Sequence, residues 1–364
     1  MNIVYITSSY ESVQKHLVSS LNNNDVRAEI YYYNTTHFNE KELYPENVHR
    51  YMPNLYFKGP VLYISRIKAA ARHFGKSFNL NQVSVTHGNM LVSDGTLCRY
   101  LYEKYGIPYV VTVRDTDINT WFNWRFGWIR KQTCKNIEAA KKIVFLGPEY
   151  KNKLKKRLAD ARISDMLNSK SIVIPNGIDE YFLKNANTPK QISYDCIKVI
   201  YIGKLEKRKN LELTVEAIRK LREEGLNIIL TAVGDIIDDE YKSVISKNSF
   251  VQYHPKCGKE EVLKYLRGAD IFCMPSHKES FGLAYAEALS QGLPVLYTKG
   301  QGFDNQFSDG TVGYAVNDRD HIDLADKIRM AIENYNSLSS NCIKACTKFD
   351  WNVISRDLIG VYDE

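Results

Sequence analysis

The feature that most constrains this chain is an alternation of short apolar runs and amphipathic helical patterns that occurs twice. In the first series the apolar runs cover residues 2–7, 28–33, 83–86, 109–113, 142–146 and 172–175. Helical patterns lie between them at 12–21, 95–105 and 148–159. This alternation predicts strands that lie parallel in one sheet with helices on its faces. The turn dipeptide at 176–177 ends the series.

A second alternating series follows this turn. It predicts strands at 197–202, 227–233, 271–274 and 294–297, with helices at 211–224, 260–266 and 281–290. Because 364 residues suffice for two domains, we predict an α/β protein with two doubly wound domains that meet near residue 183. Ligands of such sheets bind at the carboxyl ends of the strands, so we expect a ligand cleft where the two domains face each other.

Composition narrows the classes of protein. Hydrophobic residues make up 44% and charged residues 25%, which excludes a disordered or fibrous chain. The net charge of +7 suits an anionic small substrate, a membrane surface or a nucleic acid. Nucleic acid is the weakest of these, because no nucleic-acid-binding module is recognisable.

The location also follows from the sequence. We expect no signal peptide and no membrane span, because no basic flank precedes a long apolar run. The seven cysteines form no C-x-x-C pair, which favours reduced thiols and a cytoplasmic protein. Cys342 and Cys346 lack the further ligands that a metal site would need.

The richest segment for chemistry is 271–296. A predicted strand there gives way to a polar loop with Glu279, and a helix predicted from about Phe281 carries Glu287 in its second turn. Backbone N–H groups at the start of a helix bind phosphate or sugar oxygens. Glu279 could then face a reacting carbon while Glu287 reaches a ribose. A capped surface helix with two solvated carboxylates would show the same pattern.

A second segment, YIGKLEKRKN at 201–210, places four cations after a strand that ends at Gly203. Cations at the carboxyl end of a strand suit a diphosphate. A solvated basic turn would show the same sequence pattern. The cations are Lys204, Lys207, Arg208 and Lys209.

These segments occur in a recognisable order. IPNGID at 174–179 precedes GKL at 203–205, and E-x7-E at 279–287 is followed by GLPV at 292–295. The set resembles the retaining, nucleotide-sugar-dependent glycosyltransferases of family 4. The resemblance implies the GT-B fold, with an acceptor-binding domain at 1–183, a donor-binding domain at 184–349, and a final helix at 350–364 that packs back on the first. It also implies a UDP- or GDP-sugar donor and no metal or other cofactor.

The resemblance assigns donor-binding roles residue by residue. Lys204 and Lys209 would bind the diphosphate beside Gly203, and Glu287 would bond the ribose hydroxyls. The donor sugar and leaving phosphate would be held by Glu279, Ser280, Phe281 and Gly282. The family usually has arginine at position 204, and lysine keeps the charge but loses the bidentate fork.

In the N-terminal half, the segment VVTVRDTD at 110–117 has Arg114 where the family commonly has histidine. Arginine cannot act as a base, but it can stabilise a departing phosphate or a charged acceptor. His87 matches an element that faces the acceptor, and a structural histidine fits equally well. Asp117 is a candidate partner for an acceptor hydroxyl. Asp115 and Asp117 also match the D-x-D of metal-dependent glycosyltransferases, in which two carboxylates share a metal ion. This interpretation is weaker, because the rest of the chain supplies a better diphosphate site.

Two further patterns remain open. The tripeptide at 75–77 resembles the end of a P-loop, but position 70 is Ala70 instead of glycine, so we expect a surface turn. Trp121, Trp124 and Trp128 form one helical stripe among basic residues. With the basic run at 151–157, this stripe suits an anionic membrane interface. An aromatic wall beneath the acceptor site is the alternative.

The sequence therefore predicts a retaining glycosyltransferase that moves a sugar to a hydroxyl of a glycan, in bacterial surface polysaccharide synthesis with a lipid-linked acceptor. Three alternatives stay open: a nucleotide-sugar epimerase on the same scaffold, a donor-binding subunit without catalysis, and the metal-dependent transferase.

Overall fold

A computed structural model describes residues 1–33, 44–52, 60–119 and 127–364. The chain divides into two compact units. Unit 1 comprises Met1–Gly177 and Trp351–Glu364, and unit 2 comprises Ile178–Asp350.

The described part of unit 1 contains a parallel sheet in the order β3-β2-β1-β4-β5-β6-β7. Its strands are β1 Asn2–Thr7, β2 Arg27–Tyr33, β3 Val48–Tyr51, β4 Val85–Gly88, β5 Tyr109–Val113, β6 Lys142–Phe145 and β7 Ser171–Val173. The helices are α1 Ser12–Asn22, α2 Pro60–Ser77, α3 Ser93–Tyr105, α4 Asp115–Asn119, α5 Gly127–Ala139, α6 Pro148–Leu158 and α7 Ala161–Lys170, with a last helix, α15, at Trp351–Asp363. The strand order reverses between β1 and β4, which makes their carboxyl ends the switch point of the sheet.

Helices cover both faces of this sheet, so its central strands are continuously apolar. All five residues of β5 are buried. One face packs on α2, α3 and α5, and the other on α1 and α15. The last helix is tied to the first because Ser20 Oγ donates to the carbonyl of Trp351 at 2.9 Å. Gly177 lies flat against the Trp351 ring, where a Cβ would come within 2.5 Å of a ring carbon.

The described part of unit 2 contains a second parallel sheet, in the order β10-β9-β8-β11-β12-β13. Its switch point lies between β8 and β11. The strands are β8 Ile197–Ile202, β9 Ile228–Val233, β10 Val251–His254, β11 Ile271–Cys273, β12 Val295–Thr298 and β13 Gly313–Val316. The helices are α8 Glu180–Lys184, α9 Leu211–Glu223, α10 Glu240–Ser246, α11 Lys259–Gly268, α12 Leu283–Ser290, α13 His321–Glu333 and α14 Tyr335–Ala345.

The boundary between the units lies at 177/178, six residues before the expected 183/184. The reason is that α8 packs on unit 2. Phe182 is buried there, Gln291 Nε2 donates to the carbonyl of Asn185 at 3.2 Å, and the amide of Asn187 donates to the carbonyl of Ser290 at 2.9 Å.

Two local expectations differ from the structure. Residues 75–77 form the last turn of α2 instead of a surface turn, and Gly75 faces Tyr105, whose hydroxyl would lie 2.9 Å from an added Cβ. The helix expected from Phe281 begins at Leu283. Trp121 and Trp124 lie outside the described residues, whereas Trp128 is half-buried with its ring 5.5 Å from that of Tyr63. Within the described ranges, every helix is too short or too polar to span a membrane.

Candidate active site

The candidate site of unit 2 forms where two loops follow the neighbouring strands β8 and β11. These strands flank the switch point, so their loops meet although they are some 70 residues apart in sequence. Lys209 of the first loop forms an ion pair with Glu279 of the second, Nζ to Oε2. The two side chains are only 13% and 9% exposed. A cation and a carboxylate from two motifs are thus joined in one place.

Several hydrogen bonds connect the two loops. Asn210, in the left-handed conformation with φ 58°, donates from Nδ2 to the carbonyl of Pro275 at 3.0 Å. The amide of His277 donates to the carbonyl of Arg208 at 2.9 Å, and Arg208 Nη1 donates to the carbonyl of Lys278 at 3.0 Å. The backbone around Lys209 is therefore fixed relative to the backbone around Glu279.

The N-terminus of α12 lies beside Glu279. Gly282 precedes this helix with φ 82°, and a Cβ there would lie 3.2 Å from Glu279 Cγ and 2.4 Å from the Tyr285 ring. Only glycine fits this conformation and this space. Phe281 is buried against Phe303, which anchors the loop to the core. The helix dipole and the first N–H groups of α12 make this end favourable for an anion.

Glu287 lies one turn further along α12, and the residue is half-buried. Within the described parts of the chain, it has no hydrogen-bond partner. Burial and the nearby Asp179 carboxylate raise the pKa of Glu287 to about 7. Asp179 caps α8 and accepts from Lys259 Nζ at 2.9 Å. Glu287 is thus a carboxyl with open hydrogen-bonding capacity on the same helix that starts beside Glu279.

Gly203 and Lys204 complete the first loop. The amide of Gly203 donates to the carbonyl of Val233 at 3.0 Å, and a Cβ on Gly234 would lie 1.9 Å from the Gly203 carbonyl oxygen. The loops after β8 and β9 therefore touch through backbone. Lys204 is exposed, and its ammonium has no partner among the described residues. It remains available to an anion.

The carboxyl edge of the unit 1 sheet looks different. Arg114 Nε donates to the Asn89 side chain at 2.8 Å and to the Asn89 carbonyl at 3.0 Å. Asp117 is fully buried, and its two oxygens accept the amides of Leu91, Val92 and Arg114 at 2.8 to 3.0 Å. Burial raises the pKa of Asp117 to about 6. Both oxygens therefore hold the loops after β4 and β5, and a bond from Asp117 to an acceptor hydroxyl stays a prediction.

His87 is the third residue of β4, and 1% of its surface is exposed. One ring nitrogen, Nδ1, lies 2.6 Å from the Tyr362 hydroxyl, and Nε2 lies 2.8 Å from Thr112 Oγ1. Burial and Arg114 lower the pKa of His87 to about 3, so the ring is neutral. These contacts fit the structural interpretation of His87, and a role for it toward an acceptor stays a prediction.

The D-x-D pair does not form a metal site in this structure. Asp115 accepts from the Tyr150 hydroxyl at 2.9 Å and from Asn119, while Asp117 is enclosed as described. Across the described ranges, no cluster of three or more His, Cys, Asp or Glu side chains could hold a metal ion.

Three residues were missed by the sequence analysis. Asn89 accepts a hydrogen bond from Arg114, and Asp179 raises the pKa of Glu287. Gln301, in the loop after β12, contacts the Glu279 loop. Asn89 follows the predicted His-Gly element directly, and Asp179 ends the IPNGID segment, so both had a signal in the sequence. Gln301 had none.

Comparisons with known proteins agree with this fold. Residues 184–349 match the family model described as "Glycosyl transferases group 1". An uncharacterised glycosyltransferase of Methanocaldococcus jannaschii is 23% identical over 287 residues, which cover 78% of this chain and 76% of that protein. A phosphatidyl-myo-inositol mannosyltransferase of Mycobacterium leprae is 26% identical over 213 residues, which cover 55% of each chain.

Solved structures show the same fold. The Anabaena protein HepE in complex with UDP superposes with a TM-score of 0.72 at 16% identity, over 99% of both chains. The protein is thus a glycosyltransferase enzyme with the GT-B fold.

Proposed function

We propose that this enzyme is a retaining glycosyltransferase that transfers a sugar from a UDP- or GDP-sugar to a hydroxyl of a glycan acceptor. The observation that carries the proposal is the meeting of Lys209 and Glu279 at the N-terminus of α12. This arrangement offers a cation and helix amides to a diphosphate, and a carboxylate to the sugar beside it.

Each group then has a chemical task. The bond from the anomeric carbon to the diphosphate oxygen breaks, so negative charge grows on the departing nucleoside diphosphate. Lys204, Lys209 and the amides of Phe281 and Gly282 stabilise that charge. Glu279 and Ser280 hold the donor sugar, and Glu287 accepts hydrogen bonds from the ribose hydroxyls. Arg114 of unit 1 is assigned to the departing phosphate or to a charged acceptor.

The relatives support the class of donor and acceptor. HepE is described in complex with UDP, which favours UDP over GDP as the first nucleotide to test. The mannosyltransferase acts, by its name, on a phosphatidyl-inositol lipid, which fits a lipid-linked acceptor. We further propose that the enzyme acts in bacterial surface polysaccharide synthesis in the cytoplasm, and that transfer needs no bound metal or other cofactor.

A thermal-shift screen of nucleoside diphosphates and nucleotide sugars tests the donor site first, because a ligand that binds only the native state raises the melting temperature. The stabilising donor is then incubated with glycan acceptors, and the product is analysed by NMR. Retention of the anomeric configuration supports the proposal, and inversion contradicts it.

The same assays distinguish the alternatives. Conversion of the donor without acceptor would indicate the epimerase. Binding without turnover would indicate the non-catalytic subunit, and loss of turnover with chelator the metal-dependent transferase.

We also propose a peripheral contact with anionic membrane, supported by a basic surface on α5 and α6. Its exposed or half-exposed cations are Arg130, Lys131, Lys135, Lys151, Lys153, Lys155, Lys156 and Arg157. Each cation near an anionic surface contributes about 1 kcal/mol. The protein should co-sediment with anionic vesicles at low salt and release at high salt. Equal recovery with neutral vesicles would reject the electrostatic contact.

A further inference from the structure

The loop that carries Glu279 is held by residues 298–302, which comprise the last residue of β12 and the start of the loop that follows it. Thr298 Oγ1 donates to the carbonyl of Ser276 at 2.7 Å, a bond buried in the protein. The amide of Gly302 donates to the carbonyl of Glu279 at 3.0 Å. Two further bonds come from the side chain of Gln301, so four hydrogen bonds join the two segments.

The Gln301 amide bridges both ends of the stretch 277–279. Its Nε2 donates to the carbonyl of His277 at 2.9 Å, and its Oε1 accepts from the amide of Glu279 at 3.3 Å. Both bonds need a donor and an acceptor on one flat, uncharged group. Among side chains of this length, only glutamine supplies that combination at neutral pH.

The backbone of the Glu279 loop packs closely on the segment beneath it. A Cβ on Gly302 would lie 1.9 Å from the Ser280 carbonyl oxygen and 2.9 Å from the Phe281 amide nitrogen. The Phe303 ring lies 4.9 Å from that of Tyr285, at the start of α12. The backbone of 279–281 therefore rests directly on 301–303, and a change at Gln301 acts at short range on the Glu279 main chain.

We infer that Gln301 is a positioning residue for transfer: it fixes the backbone from which Glu279 reaches the donor sugar. This inference rests on the proposed function. Gln301 contacts the 277–279 part of the loop after β11, whereas the two cations proposed for the diphosphate, Lys204 and Lys209, lie on the loop after β8. Loss of the Gln301 amide should consequently lower turnover more than donor affinity, because small misplacements of a reacting group cost rate.

Gln301→Met tests this, since methionine has a similar length but makes neither hydrogen bond. We expect kcat to fall about 10- to 100-fold, while the KM for the donor changes less than about threefold and the melting temperature stays close to that of the wild type. The matched control is Gln252→Met, at an exposed position of β10. Unchanged kcat in Gln301→Met, or a loss confined to donor KM, would overturn the inference.

Gln301→Glu adds a readout that a purely structural role would not move. When protonated, the introduced carboxyl offers an O–H to the His277 carbonyl and a C=O to the Glu279 amide. When ionised, it has acceptors only and repels both the carbonyl and the Glu279 carboxylate. The kcat of this variant, divided by that of the wild type, should rise as the pH falls, while the same ratio for Gln301→Met stays flat. A flat ratio for both variants would contradict positioning through these two bonds.

Hydrogen exchange separates this inference from the proposed function, because it needs no turnover. Amides of the segment 276–282 should exchange faster in Gln301→Met than in the wild type and in Gln252→Met. If the wild type transfers no sugar from any donor, the proposed function fails, and the exchange result still decides whether Gln301 holds the loop. Equal exchange rates in all three proteins would show that it does not.

Discussion

Both units of this enzyme have polar motif residues at the carboxyl edge of a parallel sheet, but these residues differ in exposure and in hydrogen bonding. At the switch point of unit 2, Lys204 is exposed and Glu287 keeps a carboxylate without a hydrogen-bond partner in the described structure. At the switch point of unit 1, His87 and Asp117 are enclosed and every polar side-chain atom of theirs is bonded to protein. A motif residue at a strand end thus becomes either a ligand-binding group or part of the scaffold.

Burial decides between these outcomes. A polar group without water must be hydrogen-bonded by protein, because an unsatisfied buried group costs about 1–3 kcal/mol. In unit 1 the loops after β4 and β5 close over the sheet edge, and Asp117 supplies acceptors for three of their amides. In unit 2 Lys204 of the basic loop is exposed, so its charge remains available, whereas Lys209 pairs with Glu279. The comparison predicts chemical phenotypes for unit 2 variants and stability phenotypes for unit 1 variants.

The largest expected effect is on turnover, in Glu279→Gln. Glutamine keeps the size of the side chain and an oxygen for Lys209, so the fold should survive. Loss of the negative charge beside the donor sugar should lower kcat about 10²- to 10⁴-fold, the range for a positioned catalytic group. Steady-state kinetics with the identified donor measures this. Glu333→Gln, exposed on α13, is the control, and a wild-type rate in Glu279→Gln would remove Glu279 from the mechanism.

Asp117→Ala tests the unit 1 side of the comparison. Three buried amides lose their acceptor, so the free energy of unfolding should fall by about 3 kcal/mol. Chemical denaturation measures this, with Asp165→Ala on the surface of α7 as the control. Folded Asp117→Ala protein should bind the donor as the wild type does. Full stability together with lost turnover would return Asp117 to the role of an acceptor-binding residue.

Donor affinity should change by a smaller amount in Lys204→Ala. Lys204 is exposed, so its removal should leave stability intact and weaken nucleoside diphosphate binding by about 1.5–3 kcal/mol, the range for hydrogen bonds to charged groups. Lys209→Ala should weaken binding similarly and also destabilise the fold, because Glu279 loses its ion-pair partner. Calorimetric titration measures the affinity of both variants, and chemical denaturation distinguishes them by their stability. Affinity equal to that of Lys247→Ala, a surface control on unit 2, would show that Lys204 does not contact the diphosphate.

The same contrast explains what the sequence could predict of the fold. Central parallel strands are apolar on both faces, and β1, β5 and β8 have the predicted bounds. The edge strands β3, VHRY, and β10, VQYH, mix polar and apolar residues and gave no such pattern. The start of α12 was misplaced by two residues, because the conformation of Gly282 depends on the Tyr285 ring packed against it.

Prediction of the site was limited by contacts between distant segments. The ordered motifs identified the loops around Lys209 and Glu279, but no spacing rule predicts that these two side chains form an ion pair. His87 fitted two interpretations until the hydroxyl of Tyr362, 275 residues away, was placed against its ring. Gln301 belongs to a third loop that matches no motif, so only the three-dimensional structure brings it to Glu279.

The smallest expected effect is a pH dependence that belongs to Glu287. The pKa of this carboxyl is raised from 4.5 to about 7, so the folded protein holds the proton more tightly than the unfolded chain. Glu287 should therefore lower stability as the pH rises from about 4.5 to 7. Donor binding should run the other way, because the ionised carboxylate is the better acceptor for ribose hydroxyls. Affinity for a nucleotide sugar, whose diphosphate diester does not titrate in this range, should increase up to about tenfold from pH 6 to pH 8. Glu287→Gln should flatten both profiles, and an unchanged slope in that variant would assign the pH dependence to another group.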